Sequence, residues 1–122
     1  GCFRMNGNEL ATVAYYGLPV ITVIFNNRNL GMVRQWQSLI YDHRYSQTSL
    51  ENRSPDFVKF ADAFGLKGRR VTQPSELEEA ITEALAESAQ GRGYVIDCAI
   101  NADEMVHPMV NGGHHITEFL LS

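Results

Sequence analysis

Pro19-Val20-Ile21-Thr22-Val23-Ile24-Phe25-Asn26-Asn27 decides the fold. From Val20 to Phe25 the residues are β-branched or aromatic without a break. A run of that kind, with no polar alternation, reads as a strand covered on both faces, as strands of parallel sheets are. Two asparagines end it. Upstream, Asn8 to Tyr16 reads as a helix with Leu10, Val13 and Ala14 on one side, stopped by Gly17. Downstream, Leu30 to about Tyr41 has Met32, Val33, Trp36, Leu39 and Ile40 at helical spacing.

Beyond a polar, irregular stretch from Tyr41 to Arg53, the alternation resumes. Ser54-Pro55-Asp56 offers a capping serine, a proline for the first helical position and an acid for the first turn. The stripe that follows is Phe57, Phe60, Ala61 and Phe64, closed by Gly65. Leu66 to Val71 reads as a strand. Ser75 and Glu78 form a capping box for a helix reaching about Ser88, with Leu77, Ile81, Ala84 and Leu85 inward. Gly93 to Ile100 is the last strand, and the tail from Asn101 reads as extended. Strands alternating with helices imply an α/β fold: a three-layer, mostly parallel sheet with helices on both faces. Ligands of such sheets gather at the carboxyl ends of strands. That places the expected site at Asn26-Asn27 and at Gly1-Cys2.

The 122 residues suit one domain, and with 44% hydrophobic residues they can bury a core. A net charge of -4 argues against nucleic acid as a partner. Lys67-Gly68-Arg69-Arg70 is the longest basic cluster and reads as a solvated strand edge. Cys2 and Cys98 show no metal-ligand spacing and read as reduced thiols, which suggests a cytoplasmic or organellar setting. The apolar run from Leu18 to Phe25 is too short to span a bilayer, so no membrane partner is expected. The abrupt start at Gly1-Cys2-Phe3 suggests a piece of a larger protein, incomplete at its N-terminal side.

The turn Asn26-Asn27-Arg28-Asn29-Leu30-Gly31 carries the chemistry. Amide and carbonyl oxygens are hard, neutral ligands that suit Mg²⁺. The first turn of the next helix offers open N–H groups to an anion. Mg²⁺ normally takes a carboxylate too, and none stands in this turn. The rival reading is an asparagine-rich turn whose side chains cap the helix. Asp97, in an apolar strand, suits a structural role paired to a backbone donor, and Glu9 suits an exposed helix charge. His43, His107, His114 and His115 show no ligand spacing.

The order Gly1, then an acid-containing helix, then Leu18-Pro19-Val20, the strand and Asn26-Asn27 resembles the thiamine-diphosphate fingerprint, Gly-Asp-Gly followed further along by Asn-Asn. Gly1 would be its last glycine, and the metal-binding Asp would lie upstream. Within that family three segments are similar to the acetolactate synthases: Phe3-x-Met5-Asn6-x-x-Glu9-Leu10-Ala11-Thr12, Asn26-Asn27-x-x-Leu30-Gly31-Met32-Val33-x-Gln35-Trp36, and Asp103-Glu104-Met105-Val106-x-Pro108-Met109-Val110. The tail from Asn111, notably His114-His115, departs from that pattern.

The resemblance implies a C-terminal diphosphate-binding domain, residues 1–122, of an enzyme joining pyruvate to a second 2-oxoacid with loss of CO2 in branched-chain amino-acid biosynthesis. It implies thiamine diphosphate and Mg²⁺ as cofactors, with any FAD held elsewhere in the full-length enzyme. Asn27 (side chain) and Asn29 (carbonyl) would ligate the metal, and N–H groups near Gly1-Cys2 and Leu30-Gly31 would hold the diphosphate. Met32 would sit near the ring, with Gln35 and Trp36 along the substrate channel; core packing is the rival role for Met32 and Trp36. A homo-oligomer with room for a regulatory small subunit, in the cytoplasm, plastid or mitochondrion, completes the expectation. No catalytic residue is expected within these residues. The alternatives are another thiamine-diphosphate carboligase or a 2-oxoacid decarboxylase, and a non-catalytic α/β module.

Overall fold

A computed structural model describes residues 1–120. Five helices, α1 (Cys2–Asn6), α2 (Leu10–Tyr16), α3 (Gly31–Ile40), α4 (Phe57–Asp62) and α5 (Leu77–Ser88), accompany strands β1 (Ile21–Asn26), β2 (Lys67–Val71) and β3 (Tyr94–Ala99). A short hairpin, β4 (Met109–Val110) with β5 (Phe119–Leu120), follows. Residues 121 and 122, part of the tail that departs from the family pattern, lie outside the description. The three long strands form one parallel sheet in the order β1-β3-β2, with Ile21 and Lys67 both level with Tyr94.

The central strand explains the layers. Tyr94 to Cys98 are all buried, and alternate residues point to opposite faces. Val95 packs with Leu10, Ile24, Phe57, Ala61 and Leu66 under α2 and α4. Ile96 packs with Val71, Ala80, Ala84, Tyr94 and Cys98 under α5. Helices therefore cover both faces, as the alternating pattern predicts.

Several local expectations need correction. The chain from Cys2 to Asn6 is helical, and the next helix begins as a 3-10 turn over Gly7–Glu9. Gly17 does end that helix, at φ +61. β1 is not covered on both faces: Ile24 is buried, but Val23 is 45% and Phe25 73% exposed. The physical reason is its position. β1 is an outer strand, and α5 lies mainly over β3 and β2.

α4 is capped by Asp56, not Ser54; its Oδ1 accepts from the Val58 and Lys59 N–H groups at 3.1 Å each. The expected box at Ser75 and Glu78 is displaced by two positions, since Glu76 Oε2 accepts from Thr72 N at 2.7 Å and Gln73 N at 3.1 Å. On α5 the inward residues are Ala80, Ala84 and Glu87, while Leu77, Ile81 and Leu85 are exposed. Small alanines let the helix lie close on the sheet, which turns the bulkier stripe outward. The tail is not wholly extended, because it closes the β4–β5 hairpin.

β2 is the other outer strand, and its basic residues are not simply solvated. Arg69 pairs with Glu79 and Glu83, and Lys67 with Glu87, so the strand is tied to α5 by charge. Glu87 is itself buried, and Arg92 first, Lys67 second, hold its carboxyl down to about 2. A lowered carboxyl pKa contributes stability that is present above the usual value and lost as pH falls through the folded one. Glu87→Gln is therefore expected to narrow the loss of stability that acid causes between about pH 4.5 and 2. Denaturant unfolding of both proteins across that window measures it; parallel pH profiles for the two proteins would remove Glu87 from the account.

Candidate functional site

β1 delivers Asn26 to the carboxyl edge of the sheet, and the chain turns there. Asn26 Nδ2 donates to Asp97 Oδ1 at 2.9 Å, and Asn26 Oδ1 accepts from Arg28 N at 3.2 Å. Asp97 is thus paired to a side-chain amide rather than to the backbone donor expected of it. Arg28 has φ +56, a left-handed conformation few non-glycine residues adopt. Asn27 Oδ1 accepts from Asn29 N at 3.1 Å, and Asn29 Nδ2 donates to Asn27 O at 2.7 Å. The two asparagines clasp one turn, and Asn29 is only 5% exposed. The asparagine-rich turn is thus present, but its side chains bond within the turn and none caps α3.

The clasp leaves oxygen donors. An amide oxygen has two lone pairs, and Asn29 N–H takes one. The isolated antiparallel bridge between Asn29 and Ser49 uses bonds from Leu30 N to Thr48 O and from Leu50 N to Arg28 O, which do not involve the Asn29 carbonyl. α3 starts directly after, and no side chain caps it. A Cβ on Gly31 would stand 2.7 Å from Asn27 Nδ2, so glycine there makes room for the amide.

These parts meet in one cavity of about 570 Å³. Gly1, Cys2, Asn27, Asn29, Gly31, Met32 and Gln35 all line it. Leu30 does not, but its Cδ2 lies 3.0 Å from where a Cβ on Gly1 would be. Trp36 is half-buried and lies outside the lining. Residues distant in sequence bring the two ends of the chain to the same place: Glu104, Met105 and Val106 also form the wall. Sequence reasoning assigned these no role; the only signal was the segment's resemblance to a family pattern. Among the described residues, Glu104 is the one carboxylate in the lining.

α3 forms as its spacing predicts, but core packing, the rival role for Met32, is not what the structure shows. Its apolar stripe does not face the core: Met32, Val33, Leu39 and Ile40 are exposed, while Gln35 and Ser38 are buried. The polar side turns inward because its residues find partners, Gln35 in Val106 and Ser38 in Arg34 O and the Tyr45 hydroxyl. Arg34 Nε and Nη2 donate to Asp103 Oδ1 at 3.0 and 2.6 Å.

Among the described residues no group of three or more His, Cys, Asp or Glu could hold a metal, and no helix is long and apolar enough to cross a membrane. His114 and His115 engage Glu118 and Thr117 within the hairpin loop. Cys98 is buried; burial first, and the Asp97 charge second, push its thiol up, away from nucleophilic use. A second cavity, about 500 Å³, opens between α4, α5 and the amino ends of β2 and β3. Its carboxylates are already satisfied, the buried Glu87 by Lys67 and Arg92, and the exposed Glu83 by Arg69 and the Tyr94 hydroxyl.

A cofactor held through Mg²⁺ and a diphosphate fits the first cavity in part. The donors are hard, neutral oxygens beside an uncapped helix start, and the carboxylate has to come from outside the turn.

Residues 1–98 match the family described as Thiamine pyrophosphate enzyme, C-terminal TPP binding domain. The acetolactate synthase large subunit of Mycobacterium tuberculosis is 48% identical over 116 residues, 93% of this chain and 18% of that protein. The acetolactate synthase isozyme 3 large subunit of Escherichia coli is 42% identical over 122 residues, 100% of this chain and 21% of that protein. The chain thus spans about a fifth of the length of these relatives. Among solved structures, the thiamine diphosphate-dependent 4-hydroxybenzoylformate decarboxylase of Rhodococcus jostii RHA1 superposes with a TM-score of 0.66 at 24% identity, over 82% of this chain and 19% of that one. At that identity the likeness bears on fold alone.

Proposed function

The chain belongs to the thiamine pyrophosphate enzymes, by their C-terminal TPP binding domain, and from that premise we propose that it is the diphosphate-anchoring part of an acetolactate synthase large subunit. One observation carries the reading: the clasped turn after β1, the uncapped start of α3 and Gly1-Cys2 line a single cavity at the carboxyl edge of the sheet. The synthase assignment within the family is supported by identities above 40% to several such subunits.

In this reading the second lone pair of Asn27 Oδ1 and the carbonyl of Asn29 ligate Mg²⁺, with the remaining ligands supplied from outside the turn. N–H groups at Gly31 and Met32 and near Gly1-Cys2 hold diphosphate oxygens, as helix starts do; the Leu30 N–H expected among them donates to Thr48 O at 2.9 Å instead. Asn26 and Asp97 brace the turn from below. Met32 borders the space for the ring. Thiamine diphosphate, when bound, supplies the carbon nucleophile and electron sink by which pyruvate loses CO2 and is joined to a second 2-oxoacid. The chain's own residues bind, orient and exclude water. The exposed Val23 and Phe25 are read as surface that further protein covers in a homo-oligomer.

The test is a product assay on the enzyme that carries this chain, with pyruvate, thiamine diphosphate and Mg²⁺. The expected product is 2-acetolactate, and the 122 residues alone are expected to form none. Acetaldehyde and CO2 without acetolactate would assign a decarboxylase instead. No product from the enzyme at saturating cofactor would leave a binding module.

A further inference from the structure

Gln35 is 4% exposed, and both ends of its amide are engaged on one residue 71 positions away. Its Nε2 donates to the Val106 carbonyl at 3.0 Å, and its Oε1 accepts from Val106 N–H at 2.8 Å. A carboxamide thereby pairs the N–H and C=O of Val106 as a neighbouring strand would. Nε2 also lies 2.8 Å from Met109 Sδ. One residue earlier, Arg34 grips Asp103 with two nitrogens and lies 3.8 Å over the Tyr45 ring. Residues 101 to 108 contain no helix or strand, so no ladder of backbone bonds fixes them. Yet Glu104, Met105 and Val106 form one wall of the candidate cavity, and Gly31 and Met32 of α3 line it as well.

We propose that Gln35 is a positioning residue: its side chain stands in for a strand and holds residues 103–106 at a set distance from the start of α3, fixing the width of the space where the organic part of the ligand and a 2-oxoacid meet. Gln35 keeps its expected place along the channel, and its amide N–H groups are spent on Val106 O and Met109 Sδ rather than on a substrate. The proposal rests on the thiamine-diphosphate reading of the cavity, but its structural half does not.

Physical chemistry separates the variants. Gln35→Met keeps the volume and removes both bonds, leaving a Val106 N–H and C=O without their partner. Gln35→Glu keeps an acceptor for the N–H but sets a carboxylate against the carbonyl. The first measurement is hydrogen exchange of the Val106 amide in the protein without cofactor. Its protection is expected to fall at least tenfold in Gln35→Met and less in Gln35→Glu. The second is steady-state kinetics of the enzyme that carries the chain, where Gln35→Met is expected to raise the pyruvate KM severalfold with kcat little changed. Unchanged exchange at Val106 overturns the clamp whatever the enzyme does. Faster exchange with an unchanged KM overturns the role in the cavity. A wild-type enzyme inactive with thiamine diphosphate overturns the proposed function, and with it that role, while the exchange result still decides the clamp.

Discussion

Ile96→Ala is expected to destabilise the protein by about 2–5 kcal/mol, the range for large-to-small changes in a core. The side chain is 0% exposed on the central strand, with Val23 beside it on β1 and Arg69 on β2. Its loss removes the transfer free energy of the deleted methyl and methylene groups and leaves a void. The void does not close easily. The strand is held by hydrogen bonds on both sides, and the facing residues of α5 are Ala80 and Ala84, too small to fill it. Against a total stability of about 5–15 kcal/mol, this is a large share. With a urea m-value of about 2 kcal/mol/M, the midpoint should fall by at least about 1 M. Ile96→Val removes one methyl group and should cost about 0.5–1.5 kcal/mol. Equal, small effects of both variants would mean that β3 is not sandwiched between helical layers.

Asn27→Ala should act on ligand rather than fold. It removes one metal-ligating oxygen in the proposed site and the acceptor for Asn29 N–H. The lost internal hydrogen bond costs about 1 kcal/mol, a modest shift in unfolding midpoint. The lost ligand should raise the Mg²⁺ and thiamine diphosphate concentrations needed for half-saturation by roughly tenfold to a hundredfold, the scale set by perturbing a metal site. Asn27→Asp keeps an oxygen at the same place and should recover much of the binding, which a merely steric role for the residue does not explain. Titration of cofactor at fixed Mg²⁺, then of Mg²⁺ at fixed cofactor, separates the two requirements. Cofactor saturation of Asn27→Ala indistinguishable from wild type would remove the residue from the metal site.

The elements of this fold were legible because their signals are local. The β-branched and aromatic run at Ile21–Phe25, the largely apolar run at Tyr94–Ile100 and the Phe57-x-x-Phe60-Ala61 spacing each identify an element from its own residues. Which face an element turns inward was less legible. On α5 the leucine and isoleucine stripe competes with the alanine stripe, and apolarity favours the first. Close approach to a sheet favours the second, and close approach won. On α3 the inward residues are polar because each finds a partner: Val106, from far along the chain, for Gln35, and Arg34 O with the Tyr45 hydroxyl for Ser38, pairings that helical spacing does not encode. The expected caps at Ser54 and Ser75 each lie two positions from the side chains that form them, Asp56 and Gln73 with Glu76.

The candidate site divides in the same way. The Asn26–Gly31 turn was readable because amides, a glycine and a strand exit are consecutive. The wall from Glu104 to Val106 was not, since only folding brings it beside Gly1. The bracing of Asn26 by Asp97 likewise depends on β1 and β3 being neighbours in register, Ile24 against Asp97.

The most direct test is a crystal structure of the enzyme that carries this chain, grown with thiamine diphosphate and Mg²⁺. The account predicts a Mg²⁺ ion about 2.0–2.1 Å from Asn27 Oδ1 and from the Asn29 carbonyl, with diphosphate oxygens on the N–H groups at the start of α3. A cofactor bound with its metal elsewhere, and Asn27 Oδ1 bonded only to Asn29 N–H, would contradict it.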